Sequence, residues 1–209
     1  YQLREWIERW KISELYAGVP GQSAEDVWYV HALQLELHKI GNQEFSGGAA
    51  DLWKCFDQVQ RPIAISLLER AGFPARVLQP YADCLNKTMV CNSFAGHLGI
   101  PHRHQCGIPQ GCPISMMVIA LMCRPWVLLM NTYNVIPRVL ADDITVTAAS
   151  SNHTKHHEHH LHTFVKAFEA TIQYFHQLGA KISPNKSYLF SSAPQARATL
   201  RNLKWTALN

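Results

Sequence analysis

Asp51 ends a run of small and apolar residues, Phe45 to Ala50, and is followed by Leu52-Trp53-Lys54-Cys55-Phe56-Asp57. A carboxylate where a strand gives way to a helix can face a metal ion at a sheet edge, although Asp in such a place is also an ordinary cap. Asp142 and Asp143 sit between two apolar β-branched runs. Paired like charges there cost energy unless a cation or solvent compensates, and a solvated Asp-rich turn is the plain alternative. Gly107-Ile108-Pro109-Gln110-Gly111-Cys112-Pro113-Ile114-Ser115 opens a long apolar stretch. Its glycines allow close backbone approach, Gln110 offers donors and acceptors, and a glycine-rich helix start suits phosphate or sugar. No Gly-Lys-Ser/Thr follows, so this is not a P-loop. Finally, Lys186 follows a Pro-Asn turn in Gly179 to Ser187. It is either a solvated loop cation or a group able to neutralise or protonate a leaving phosphate.

The elements that must position these residues follow from pattern and breakers. Ser23, with Asp26 three residues on, predicts a capped helix running to Ile40 and stopped by Gly41-Asn42. Phe45 to Phe56 reads as a strand carrying Asp51, followed by helices near Pro62–Arg70 and Pro74–Thr88. Met89 to Cys106 reads as two short strands around Gly96 and Gly99. A long helix is expected from the glycine loop to about Asn131. A hairpin follows, Val135–Leu140 and Ile144–Thr147 around Ala141-Asp142-Asp143, then a helix over His153–Leu178 and a strand at Tyr188–Ser191. Alternating helices and strands with hairpins predict an α+β fold, a sheet covered by helices on one side.

Composition allows this. The chain has 209 residues, 47% hydrophobic and 16% charged, enough apolar material for one core and too little charge for disorder. A net charge of +4 permits an anionic partner without requiring one. The six cysteines form no Cys-x-x-Cys pair, so reduced, mostly buried intracellular thiols are expected, with no zinc module. Arg124 and Pro125 interrupt the most apolar stretch, Cys112 to Met130, which therefore reads as a core helix rather than a membrane span. The chain opens on Tyr1 without a leader, in sequence that already looks helical, so its natural start is expected further upstream.

Order and spacing together say more than any single motif. The Asp51–Phe56, Gly107–Ser115, Leu140-Ala141-Asp142-Asp143 and Gly179–Ser187 blocks resemble, in sequence, the polymerase motifs of reverse transcriptases, especially those of non-LTR retrotransposons and group II introns. Ala17 to Asp26 resembles the segment such enzymes carry ahead of the first Asp. The resemblance implies an RNA-directed DNA polymerase: a palm with a ferredoxin-like antiparallel sheet and partial fingers, using an RNA template, a DNA primer and dNTPs. It implies one domain cut from a longer chain, with partial fingers at 1–44 and in part of 58–106, palm at 45–57 and 107–192, and no thumb. It also implies two Mg2+ ions, with Mn2+ as the alternative. Asp51 and Asp142 would be the main ligands, with Asp143 close by and the Leu52 carbonyl assisting, all converging within a few ångströms. Phe56 would lie under the incoming sugar and exclude a 2′-hydroxyl, the rival being a plain core Phe. Gln110 and Gly111 would line the nucleotide and template pocket, and Lys186 would sit near the departing phosphate.

Several residues depart from the family pattern. Leu140 stands where an aromatic is usual, Met116 where Pro is common and Gln22 where a basic residue is frequent. The Arg-Pro-Ile segment of the fingers has no match ahead of Asp51 and would lie before Tyr1. These departures imply that the chain alone binds magnesium weakly and extends primers poorly. The rival readings are an RNA-directed RNA polymerase, which Phe56 opposes, and a non-catalytic remnant that binds nucleic acid or merely folds. His153, His156, His157, His159, His160 and His162 form a cluster. His156 and His160 share a helix face that could take zinc, but no further ligands are evident and a solvated face is expected.

Overall fold

The computed structural model describes residues 3–150 and 159–205. After α1 (Arg4–Glu8), the Ser23 hydroxyl accepts the Asp26 N–H while the Asp26 carboxylate accepts the Ser23 N–H at 2.8 Å. This reciprocal cap opens α2 (Ala24–Ile40) and removes two orphan donors from the helix start. β1 (Phe45–Asp51) leads to the single-turn α3 (Cys55–Gln58) and then to α4 (Arg61–Arg70), with Pro62 in its first turn. Gly72, at φ +70°, supplies the left-handed residue just past the end of α4. α5 (Ala75–Lys87) follows, and then the small hairpin of β2 (Ser93–Phe94) and β3 (His97–Leu98). The rest is α6 (Pro113–Thr132), β4 (Ile136–Leu140), β5 (Asp143–Ala149), α7 (His159–Gln177), β6 (Tyr188–Ser191) and α8 (Pro194–Asn202).

Four strands form one antiparallel sheet in the order β4-β5-β1-β6. The crossover from β1 to the β4–β5 hairpin runs through α3 to α5 and the small hairpin and ends in α6, and α7 connects β5 to β6, which is the ferredoxin-like arrangement. Both α6 and α7 pack on the sheet and on each other. Trp126 of α6 is fully buried and donates its indole N–H to Thr171 of α7 at 3.0 Å, so the largest core side chain also has its polar atom satisfied. On β1, Gly48 leaves room for Phe164 and Phe168 of α7: a Cβ there would lie 2.8 Å from the Phe168 ring. Helix α6 is long and apolar enough to cross a membrane, but most of it is buried, with Trp126, Val127 and Met130 fully so.

The structure corrects several expectations. β1 ends at Asp51, because Lys54 adopts a left-handed φ of +47° and turns the chain into α3. The hairpin loop is only Ala141-Asp142, since Asp143 already pairs with Leu140. Of the six cysteines only Cys55 and Cys123 are buried, although all six are free thiols. His160 is 1% exposed, so it is part of the interior and not of a solvated face. His153, His156 and His157 lie outside the described residues, and the zinc pair with them. α8 was not expected: it is rich in polar residues and carries only a thin apolar stripe, Ala196 and Leu200.

Candidate active site

Backbone pairing alone brings the aspartates to one end of the sheet. Asp51 is the last residue of β1 and Asp143 the first of β5, and the two are direct cross-strand partners. Asp142 precedes Asp143 in the tight turn, and its carbonyl accepts the Leu52 N–H at 3.2 Å. Ala141 holds this turn at φ +57°, a conformation that costs a residue with a Cβ about 1 kcal/mol. The Lys186 block closes the other flank. Leu52 bridges Ile182, the Asp51 carbonyl accepts the Ser183 N–H at 2.8 Å, and the Ser187 hydroxyl accepts the Asp51 N–H at 3.2 Å. Lys186 Nζ then lies 3.8 Å from Asp51 Oδ1.

Electrostatics show how crowded this corner is. Asp143 is exposed as a residue, yet desolvation pushes its carboxyl above the ordinary range. Asp142 and Asp51 push it further and Lys186 opposes them. Beneath, burial raises the Cys55 thiol to about 12, with Asp142 and Asp51 adding to the shift. Cys55 is therefore a neutral floor and not a nucleophile. Among the described residues, no three His, Cys, Asp or Glu side chains are gathered closely enough to hold a metal as they stand. The backbone register sets Asp51 beside Asp143 with Asp142 in the adjoining turn, and both Asp142 and Asp51 act on the Asp143 carboxyl. The Lys186 ammonium, 3.8 Å from Asp51 Oδ1, offsets part of this negative charge. Three carboxylates of this kind are the hard oxygen donors that suit a divalent cation.

The glycine block is strapped alongside. Gly107 N–H donates to Val59 O at 2.8 Å and Ile108 N–H to Phe56 O at 2.9 Å, so α3 carries both Phe56 and the loop. Gly107 lies tightly against the Asp57 backbone, 3.0 Å from where a Cβ would sit, and its φ of +89° also requires glycine. Phe56 is half-buried and packs partly on the core, which keeps both the gate and the core readings in view. Gln110 and Gly111 are exposed at the start of α6, and Gly111 has φ +82°. Asp57 is an exposed residue within α3.

Two positioning residues escaped the sequence reading. Arg61 donates to Gly107 O (2.8 Å), Leu85 O (2.6 Å) and His104 O (2.7 Å), tying the glycine loop to α5. Gln58 donates to Trp53 O at 2.6 Å and accepts the Lys181 N–H at 3.2 Å, joining the Asp51 and Lys186 blocks. An Arg-Pro pair at a helix start reads as an ordinary cap, and only the fold shows which carbonyls it reaches.

Comparison with known proteins agrees with this architecture. Residues 14–205 match the family described as reverse transcriptase (RNA-dependent DNA polymerase). The chain belongs to the reverse transcriptase family. Its fold is similar to that of telomerase from Candida tropicalis solved with a fragment of telomeric RNA (TM-score 0.61, 10% identity, 82% of this chain and 30% of that one). It is also similar to apo telomerase from Candida tropicalis truncated from its C-terminal domain (0.64, 11%, 91% and 39%). A third similar structure is Candida albicans telomerase with a telomeric RNA fragment (0.64, 12%, 92% and 35%). At these identities the likeness shows the fold, and the chain spans 30–39% of the telomerase chains it matches. No curated protein matches the sequence.

Proposed function

We propose that this chain is the palm, with partial fingers, of an RNA-directed DNA polymerase that transfers a nucleotidyl group from a dNTP to a primer 3′-hydroxyl on an RNA template. The observation that carries the reading is the register of β1 against β5, which sets Asp51 beside Asp143 with Asp142 in the adjoining turn. In this reading Asp51, Asp142 and the Leu52 carbonyl hold two Mg2+ ions, or Mn2+ in their place. When bound, such ions neutralise charge on the attacking and leaving oxygens of an in-line displacement. Asp143 keeps the corner anionic, although desolvation and the neighbouring Asp142 and Asp51 push its own carboxyl upward. Lys186, whose side chain is 70% exposed, would exchange Asp51 for the departing phosphate and neutralise or protonate it. Phe56 sets the floor of the sugar pocket and excludes a 2′-hydroxyl, while Gln110 and Gly111 hold the base pair being formed. The non-LTR and group II intron likeness of the motifs makes a retroelement the proposed source.

Primer extension on poly(rA)·oligo(dT) with Mg2+ and dTTP tests the proposal, comparing this chain with a longer version that includes adjoining coding sequence. Template-dependent extension by the longer version, lost by at least about 100-fold in Asp142→Asn, is expected. Phe56→Val is expected to raise use of UTP relative to dTTP. No extension by the longer version, or extension unaffected by Asp142→Asn, would return the chain to the non-catalytic remnant.

A further inference from the structure

The hairpin formed by β2 and β3 stands apart from the core. Every residue from Cys91 to Gln105 is exposed. Ala95 (φ +49°) and Gly96 (φ +80°) make the tight turn, and the ribbon continues to a Val90–His102 bridge with paired N–H···O bonds of 2.8 and 2.9 Å. The arm is thus ordered by its own backbone, yet its apolar side chains face water: Phe94 is 86% exposed, Leu98 76% and Ile100 89%. Strands of two residues cannot support such exposure for stability, since a short isolated hairpin is marginal. Phe94 and His97 are cross-strand partners, so their rings share one face near the tip.

Charge selects the partner. From Cys84 to Ala141 the sequence contains no Asp or Glu. The arm itself carries Arg103 with His97, His102 and His104. Asp83, just before it, is already engaged with Lys87 at 3.3 Å. The base of the arm continues into the candidate active site. Arg61 holds His104 O and Gly107 O together, and a cavity of about 420 Å³ is lined by Thr88, Val90, His104 and Cys106 on one side and Gly107 and Gln110 on the other. The carboxylate on its wall is Asp57.

From this geometry we infer that the β2–β3 hairpin is an arm that grips single-stranded RNA, with a base stacked on Phe94 and phosphates running past His97 and Arg103 toward the Gln110 loop. Aromatic stacking with nearby cations is how proteins hold single strands without reading sequence. The inference rests on the polymerase reading, because the strand so held is the template ahead of the site.

Fluorescence anisotropy of a labelled single-stranded RNA of about 20 nucleotides, long enough to span several stacking sites, tests it on the whole chain. Phe94→Ala is expected to weaken binding about tenfold and Phe94→Trp to retain it. Arg103→Ala should lower the slope of log affinity against log salt by about one. Phe94 is so exposed that the substitution leaves the fold intact, which circular dichroism checks. No binding by the unaltered chain at low salt, or equal binding by Phe94→Ala, overturns the arm. So does self-association that Phe94→Ala abolishes while RNA affinity stays the same, which would assign the hairpin to a second copy. The two readings separate in this design. Asp142-dependent extension with RNA binding indifferent to Phe94 removes the arm alone. Phe94-dependent binding without extension by the longer version removes the catalytic reading and leaves the arm as the grip of a binding protein.

Discussion

Asp143 bears the cost of concentrating negative charge at one sheet end. Its carboxyl is raised by desolvation first and then by Asp142 and Asp51, against the pull of Lys186. A carboxyl with a higher pKa folded than unfolded holds its proton more tightly in the native state. Protonation then stabilises the fold at low pH, and that contribution is lost as pH rises through the carboxylate range. Removing the charge should therefore help at neutral pH. Asp143→Asn is expected to raise the melting temperature at pH 7 by up to about 3 °C, a small gain because the carboxyl is solvated. The gain should shrink toward pH 4, where the native carboxyl is increasingly protonated. Thermal unfolding followed by circular dichroism at both pH values checks this, and a variant less stable at pH 7 would show that Asp143 makes a favourable contact outweighing the repulsion.

Among the elements, the loop before α2 shows how glycine fixes the sheet's outer edge against α6. Val139 N–H donates to Glu14 O and Tyr16 N–H to Val139 O, both at 2.9 Å, so the loop joins β4 as a short parallel partner. Gly18 then passes so close to α6 that a Cβ would lie 2.3 Å from the Met116 carbonyl oxygen, at φ +74°. Gly21, at φ +80°, has nothing within 4 Å. Gly18→Ala should accordingly cost about 3 kcal/mol or more, from backbone clash added to strain, and Gly21→Ala only about 1 kcal/mol. Urea unfolding of the two variants separates them; equal losses would mean that the Met116 backbone yields freely. Periodicity and breakers made most of these elements legible. The capped α2, the apolar α6 and the β4–β5 hairpin all follow from local chemistry that the tertiary fold does not override. What stayed hidden depended on distant partners. The early end of β1 comes from a left-handed Lys54, the burial of His160 from its side of α7, and the reach of Arg61 from carbonyls 24 to 46 residues away. The three aspartates stood out in the sequence because four ordered motifs pointed to them, whereas the register that sets Asp51 directly against Asp143 joins positions far apart in the chain.

At the scale of the molecule, a ferredoxin-like sheet backed by α6 and α7 gives the aspartates a rigid platform. The glycine loop and the β2–β3 hairpin project from its connections. The chain belongs to the reverse transcriptase family and shares the fold of the telomerase chains, of which it spans 30–39%. A polymerase palm requires that this sheet end hold two metal ions. Manganese soaked into crystals of the chain, and located by its anomalous scattering, tests this directly. The expected result is manganese coordinated by the Asp51 and Asp142 carboxylates at about 2.0–2.2 Å, with Lys186 displaced from Asp51 and the metal lost in Asp51→Asn. Manganese bound only elsewhere, with the Lys186–Asp51 pair intact, would contradict it.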